Sequence, residues 1–176
     1  MSVRIQHADF DLSTEVAQLR ANQPAVGAVV SFIGTVRDMN DGSSVASMAL
    51  EHYPGMTEKA LEQILEQARA RWDLIDALVI HRVGPLQPQE QIVLVAVSAA
   101  HRGEAFASCE FIMDYLKTEA PFWKQEQTPQ GARWVDARST DTTALDKWTA
   151  SAAVSAAPES SASASTASAV RTGCAA

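Results

Sequence analysis

The chain has 176 residues, 47% hydrophobic and 20% charged, which suits one domain around a single core and is too few for two full-sized domains. Its 14 Lys+Arg against 21 Asp+Glu give a formal net charge of −7, the wrong sign for a general nucleic-acid binder, though a local basic pocket remains open. With only Cys109 and Cys174 present, a disulfide scaffold and a cysteine-based zinc site are excluded.

The opening MSVRIQHADF lacks the apolar stretch of a secretory signal. The longest apolar runs, Ala28–Ile33 and Ile92–Ala100, reach at most about half the length of a membrane span. A reducing cytoplasm is the expected setting. A short N-terminal strand comes first, then a brief helix with Leu12, Val16 and Leu19 at helical spacing. GAVVSFIGTVRD, Gly27–Asp38, reads as a buried strand whose charged end emerges at Arg37. Met39–Ser44, with Asp41-Gly42, reads as a loop or hairpin turn. Val45–Tyr53 is the next strand, with Ala46, Met48 and Leu50 on one face, and Pro54-Gly55 ends it.

Met56–Trp72 carries the clearest helical pattern: Leu61, Ile64, Leu65, Ala68 and Trp72 form one stripe opposite Glu58, Glu62 and Glu66. Leu78–Val83 and Gln91–Ser98 read as strands joined by the turn-rich GPLQPQE. Gly103–Glu119 is a second long helix, with Phe106, Cys109, Met113 and Leu116 facing the core and Pro121 closing it. Phe122–Thr128 and Ala132–Asp136 flank Pro129-Gln130-Gly131 as a hairpin. Strands and two long helices mix without a βαβ rhythm, so the expected class is α+β with a mostly antiparallel sheet.

After Trp148 the composition changes. Residues 149–176 contain 11 Ala, 7 Ser and 3 Thr and no aromatic residue, too little apolar area to offset the entropy of ordering. A domain over 1–148 and a disordered tail over 149–176 are expected.

No phosphate loop, dinucleotide fingerprint, nucleophile elbow or HExxH helix occurs. His7, His52, His81 and His101 stand at least 20 residues apart, so no metal site is expected. What remains is a set of cations in unusual places. Only four lysines occur, and two of them, Lys117 and Lys124, bracket Pro121 in DYLKTEAPFWKQE. A helix that stops at a proline and returns as a strand can aim both into one cleft. Equally, Lys117 can complement its helix C-terminus while Lys124 stands in solvent. Arg37 closes an apolar strand beside Asp38. His101-Arg102 sits at a strand-to-helix junction, a place suited to an anion or simply to a turn stabilised by Glu104. His81-Arg82 lies mid-strand and reads as structural, and Cys109 as a buried, inert thiol. Together, Arg37, His101, Arg102, Lys117 and Lys124 would form a cationic pocket for a small phosphorylated substrate.

The strings GAVVSFIGTVRD, LEHYPGMTEKAL, HRVGPLQPQE, SAAHRGEAF and FIMDYLKTEAPFWKQE, followed by RWVDAR, appear in an order that resembles the large, catalytic subunit of molybdopterin synthase over about residues 3–148. The resemblance implies an α/β-hammerhead fold and a homodimer carrying a small ubiquitin-like sulfur carrier at each end of a heterotetramer. It implies that the carrier's C-terminal Gly-Gly thiocarboxylate enters the large subunit and gives two sulfurs to cyclic pyranopterin monophosphate, with no cofactor in the large subunit. By motif it places the catalytic lysines at Lys117 and Lys124, and substrate contacts at Thr35, Val36, Arg37, His101, Arg102, Gln125 and Glu126. Thr35 stands where some relatives carry lysine, so a backbone contact is what is implied there. With no reactive cysteine in the domain, the sulfur would have to arrive on the partner. The implied roles are assistance at the thiocarboxylate for Lys117, and anion binding with proton transfer for Lys124. Two other classes fit the residues less fully: a non-catalytic module for a ubiquitin-like partner, and a different phosphoester-handling enzyme.

Overall fold

The longest apolar run, β8 (Gln91–Ala99), sits at the interior of a four-stranded sheet ordered β1-β6-β8-β2, with β1 (Ser2–Gln6), β2 (Ala28–Thr35) and β6 (Leu74–Arg82) around it. The structure is a computed structural model and describes residues 1–40, 43–129, 131–135 and 143–148. β1 runs parallel to β6, and β6–β8 and β8–β2 pair antiparallel. The run is continuous in sequence because both faces of β8 are covered. Val93, Val95, Val97 and Ala99 pack under the two long helices, while Leu94 and Ala96 pack with Phe10, Leu19, Leu78 and Ile80 beneath α1 (Leu12–Arg20).

A second antiparallel sheet is ordered β10-β9-β5-β7, from β5 (Ser47–His52), β7 (Gly84–Leu86), β9 (Phe122–Thr128) and β10 (Gly131–Val135). A small hairpin, β3 (Met39–Asn40) with β4 (Ser43–Ser44), completes the strands. The class is α+β with mostly antiparallel sheets, as the sequence predicts. Details differ from expectation. β6 begins at Leu74, four residues early, because its first turn pairs with Ala99 and Ser98 of β8. GPLQPQE contains β7, which Gly84 enters with φ of +84°, a conformation open to glycine. Ala46 is exposed and Val45 takes the buried place, since the regular strand begins only at Ser47.

Helix α2 (Met56–Arg71) buries Leu61, Ile64, Leu65 and Ala68, and Glu58 accepts a hydrogen bond from the Gly55 amide at 2.6 Å in its first turn. Helix α3 (Arg102–Glu119) buries Ala105, Ser108, Cys109, Phe111, Ile112, Met113, Tyr115 and Leu116. Phe106, expected in the core, is 62% exposed. At about 100° per residue the buried arc of α3 centres on Ile112, and Phe106 falls just beyond its Met113 edge. Residues 143–148 return across the helices: Trp148 packs on Trp72 and Phe111, and its indole N–H donates to Asp114 Oδ2 at 2.8 Å. The expected tail and the Asp41-Gly42 turn lie outside the described residues. Among the described residues, no helix is long and apolar enough to cross a membrane.

Candidate active site

β2 carries apolar residues to a register shift at Gly34/Thr35, where the strand leaves β8. Val36 then turns inward and packs with Met48, Leu50 and Leu86, while its backbone bonds Glu90 and Gln89. A buried Val36 makes the next residue emerge, so Arg37 is aimed out at the end of the sheet. From the opposite side, α3 ends at Ala120-Pro121 and the chain reverses into β9. That turn is clasped by Thr57, fully buried, which accepts from the Tyr53 amide and donates to the Pro121 carbonyl, both at 3.1 Å. Lys117, on the last turn of α3, and Lys124, on β9, therefore face the same space.

That space is a cleft of about 610 Å³ between the two sheets, lined by Thr35, Arg37, Lys117, Lys124 and Glu126. Its apolar walls come from Phe32, Ile33, Met48, Leu50, Met113 and Leu116. At its floor Glu126 is 1% exposed. Asn40 donates to both its oxygens at 2.9 and 3.1 Å, and Lys124 and Arg133 each approach at 3.1 Å. Burial alone would raise the Glu126 pKa. The hydrogen bonds from Asn40, Lys124 and Arg133, with the Lys124 charge, outweigh it and hold the carboxyl below its ordinary value. Among the described residues, Arg37, Lys117 and Lys124 line the cleft beside one buried carboxylate, a cationic lining suited to an anionic small molecule.

Arg37, Lys117 and Lys124, from three separated segments, thus come together. His101 and Arg102 do not join them within one chain: they cap the other end of α3, with Arg102 roughly 22 Å from Lys117 at 1.5 Å per residue. The Val36 side chain is in the core and does not line the cleft. Gln125 alternates onto the outer face of the second sheet, opposite Ala49 and Trp134. Glu126 lines the cleft, but three neighbouring side chains already engage its carboxylate. Arg37 Nη2 donates to Asn40 Oδ1 at 3.2 Å.

Asn40 and Arg133 were absent from the sequence-based set. Arg133 carried a signal, since a hairpin around Pro129–Gly131 places it opposite Glu126. Asn40 carried none. Cys109 is buried, and desolvation first, then the Glu110 charge, push its thiol up to about 11, so it offers no thiolate. His81 and Arg82 are structural: His81 stacks on Phe122 at 3.7 Å, and Arg82 bonds the carbonyls of His7 and Gln91.

Fold and cleft together define an α+β domain whose cleft is cationic and whose described cysteine is inert. A family model described as MoaE protein matches residues 5–119. The molybdopterin synthase catalytic subunit of Ralstonia nicotianae is 72% identical over 147 residues, covering 84% of each chain. The MoaE molybdopterin biosynthesis protein of Burkholderia ambifaria superposes with a TM-score of 0.74 at 64% identity, over 84% of this chain and 97% of that one. The crystal structure of molybdopterin synthase from Staphylococcus aureus gives 0.71 at 31% identity, over 76% and 96%. The chain belongs to the MoaE family, that of molybdopterin synthase catalytic subunits.

Proposed function

We propose that this chain catalyses transfer of sulfur from the C-terminal thiocarboxylate of a small ubiquitin-like carrier onto cyclic pyranopterin monophosphate, forming the dithiolene of molybdopterin. One observation carries the reading: Arg37, Lys117 and Lys124 line one cleft in a domain whose cysteine is buried and protonated. A sulfur transferase without a usable thiol needs sulfur brought by a partner, and both that partner's anionic end and a substrate phosphate need cations. In each transfer the carrier's carbon–sulfur bond breaks and a carbon–sulfur bond to the pterin side chain forms as a carbon–oxygen bond at that carbon breaks. That oxygen leaves once with the opened cyclic phosphate, which stays on as a monoester, and once as water. Water supplies the oxygen that returns the carrier as a carboxylate. Lys124, held by Glu126, is suited to binding the anion and supporting proton transfer. Lys117, on the wall by Met113 and Leu116, is assigned to the thiocarboxylate. The Thr35 and Val36 contacts in this reading are made by backbone, and no cofactor takes part.

His101 and Arg102 enter the reading through a second copy of the chain. Two copies packed antiparallel along α3 would bring each helix's N-terminus to the other's C-terminus, and so to the mouth of the cleft. Two features support such a homodimer: β2 is the outer strand of its sheet, and Phe32 and Phe106 are 40% and 62% exposed beside Lys117. The carriers would then bind at the two ends of a heterotetramer, and a cytoplasmic setting belongs to the same proposal. The test is reconstitution with thiocarboxylated carrier and the pyranopterin precursor. Dithiolene product that depends on Lys124, compared with Lys124→Ala, supports the reading. Turnover of a phosphoester without any carrier would overturn it.

A further inference from the structure

A buried side chain that the chemistry above does not use stands between the arms of the cationic set. Asn40, on β3, is 3% exposed. Its Oδ1 accepts from Arg37 Nη2 at 3.2 Å, and its Nδ2 donates to Glu126 Oε1 and Oε2 at 2.9 and 3.1 Å. A guanidinium can only donate and a carboxylate only accept, so these two partners fix which way the amide points. Glu126 in turn grips Lys124 at 3.1 Å. We infer that Asn40 is a positioning residue, whose amide ties Arg37 to the carboxylate that anchors Lys124, so that both cations meet the substrate as one preset unit. The inference rests on the reading of the cleft given above.

An amide suits this place because it accepts at one end and donates at the other while carrying no charge. Among the described residues, the charged groups of the cleft around it are Arg37 after β2, Lys117 from α3, Lys124 and Glu126 from β9, with Arg133 from β10 on Glu126. β5 presents Met48 and Leu50. Arg37 is exposed, and a long side chain held at one end of its reach loses less freedom when it closes on an anion. Donors on both oxygens of Glu126 keep that carboxylate turned to Lys124 and away from the substrate's negative charge.

The test is Asn40→Asp in the full chain, assayed with thiocarboxylated carrier and cyclic pyranopterin monophosphate from pH 6 to pH 9. While the new carboxyl shares a proton with Glu126 it can still donate, but once that proton leaves, two carboxylates face each other. With both carboxylates ionised, at pH 9, the ratio of variant to wild-type kcat/KM is expected to be about tenfold or more below one, the loss lying in KM for the pterin. A ratio near one there, or a loss in kcat alone, is the signature of a merely structural residue and overturns the inference. Asn40→Ser, smaller and uncharged, serves if the Asp variant does not fold. Its KM for the pterin is expected to rise about tenfold with kcat changed less than about threefold. An unchanged KM overturns the inference in the same way. Arg37→Ala and Lys124→Ala run alongside. Full activity in both sinks the reading of the cleft itself, whereas their loss beside normal Asn40 variants sinks only the positioning role.

Discussion

Glu126 and His81 show how single residues divide function from stability. Both are buried polar groups, yet one is held ionised and the other neutral. His81 has its pKa lowered to about 4, chiefly by desolvation, against which a hydrogen bond to the Arg82 carbonyl acts weakly. The unfolded chain protonates this imidazole near 6.5, so below that pH it binds a proton the folded chain refuses. Stability should therefore be flat above about pH 6.5 and fall by on the order of 3 kcal/mol as pH drops towards 4. Urea unfolding at pH 7.5, 6 and 4.5 checks this, and His81→Leu should flatten the slope between 6.5 and 4.5. Glu126 works in the opposite sense of charge and in a lower window. Its depressed carboxyl contributes stability above the ordinary carboxylate range, lost as pH falls through its folded value. The two effects can be told apart by the pH at which each begins.

At the scale of elements, the site is a product of how α3 hands over to β9. The stop at Pro121 was plain in the sequence, and so was the consequence that Lys117 and Lys124 could converge. The clasp that fixes their angle was not, because Thr57 lies 64 residues away in sequence and reads there as an ordinary first-turn residue. Thr57→Val keeps the shape but leaves the Tyr53 amide and Pro121 carbonyl without this partner. It should cost about 1–3 kcal/mol in urea unfolding and raise KM for the pterin more than it lowers kcat. The strands were legible for a related reason: period and β-branched content mark β2 and β8 whatever they pack against. Phe106 was misplaced because helical spacing gives a stripe's direction but not its width, and Phe106 lies only about 20° around the helix from the buried Met113. Asn40 escaped notice since a polar residue in a polar segment has no pattern until Glu126 arrives from the other end of the domain.

For the whole molecule, the packing of Trp148 on Trp72 and Phe111 carries the described fold to residue 148, and the Ala/Ser-rich composition beyond it leads to a prediction. A chain ending at 148 should keep its melting temperature and its activity. Trp148→Ala should lose about 3–5 kcal/mol, as large buried aromatics do when truncated. The proposed homodimer makes a sharper prediction. If Arg102 acts across the two-fold, mixing inactive Lys117→Ala and Arg102→Ala proteins and allowing subunit exchange should restore about a quarter of the wild-type sites, since half the dimers then hold one intact site. Arg102 acting in its own chain, or not at all, would leave no such recovery beyond what the Arg102→Ala protein shows alone. The most direct measurement of the central claim is dithiolene formation by Lys117→Ala, given thiocarboxylated carrier and cyclic pyranopterin monophosphate at saturation. A fall of about a hundredfold or more in kcat, with carrier binding retained, is the predicted result. Product formed at the wild-type rate would contradict the account.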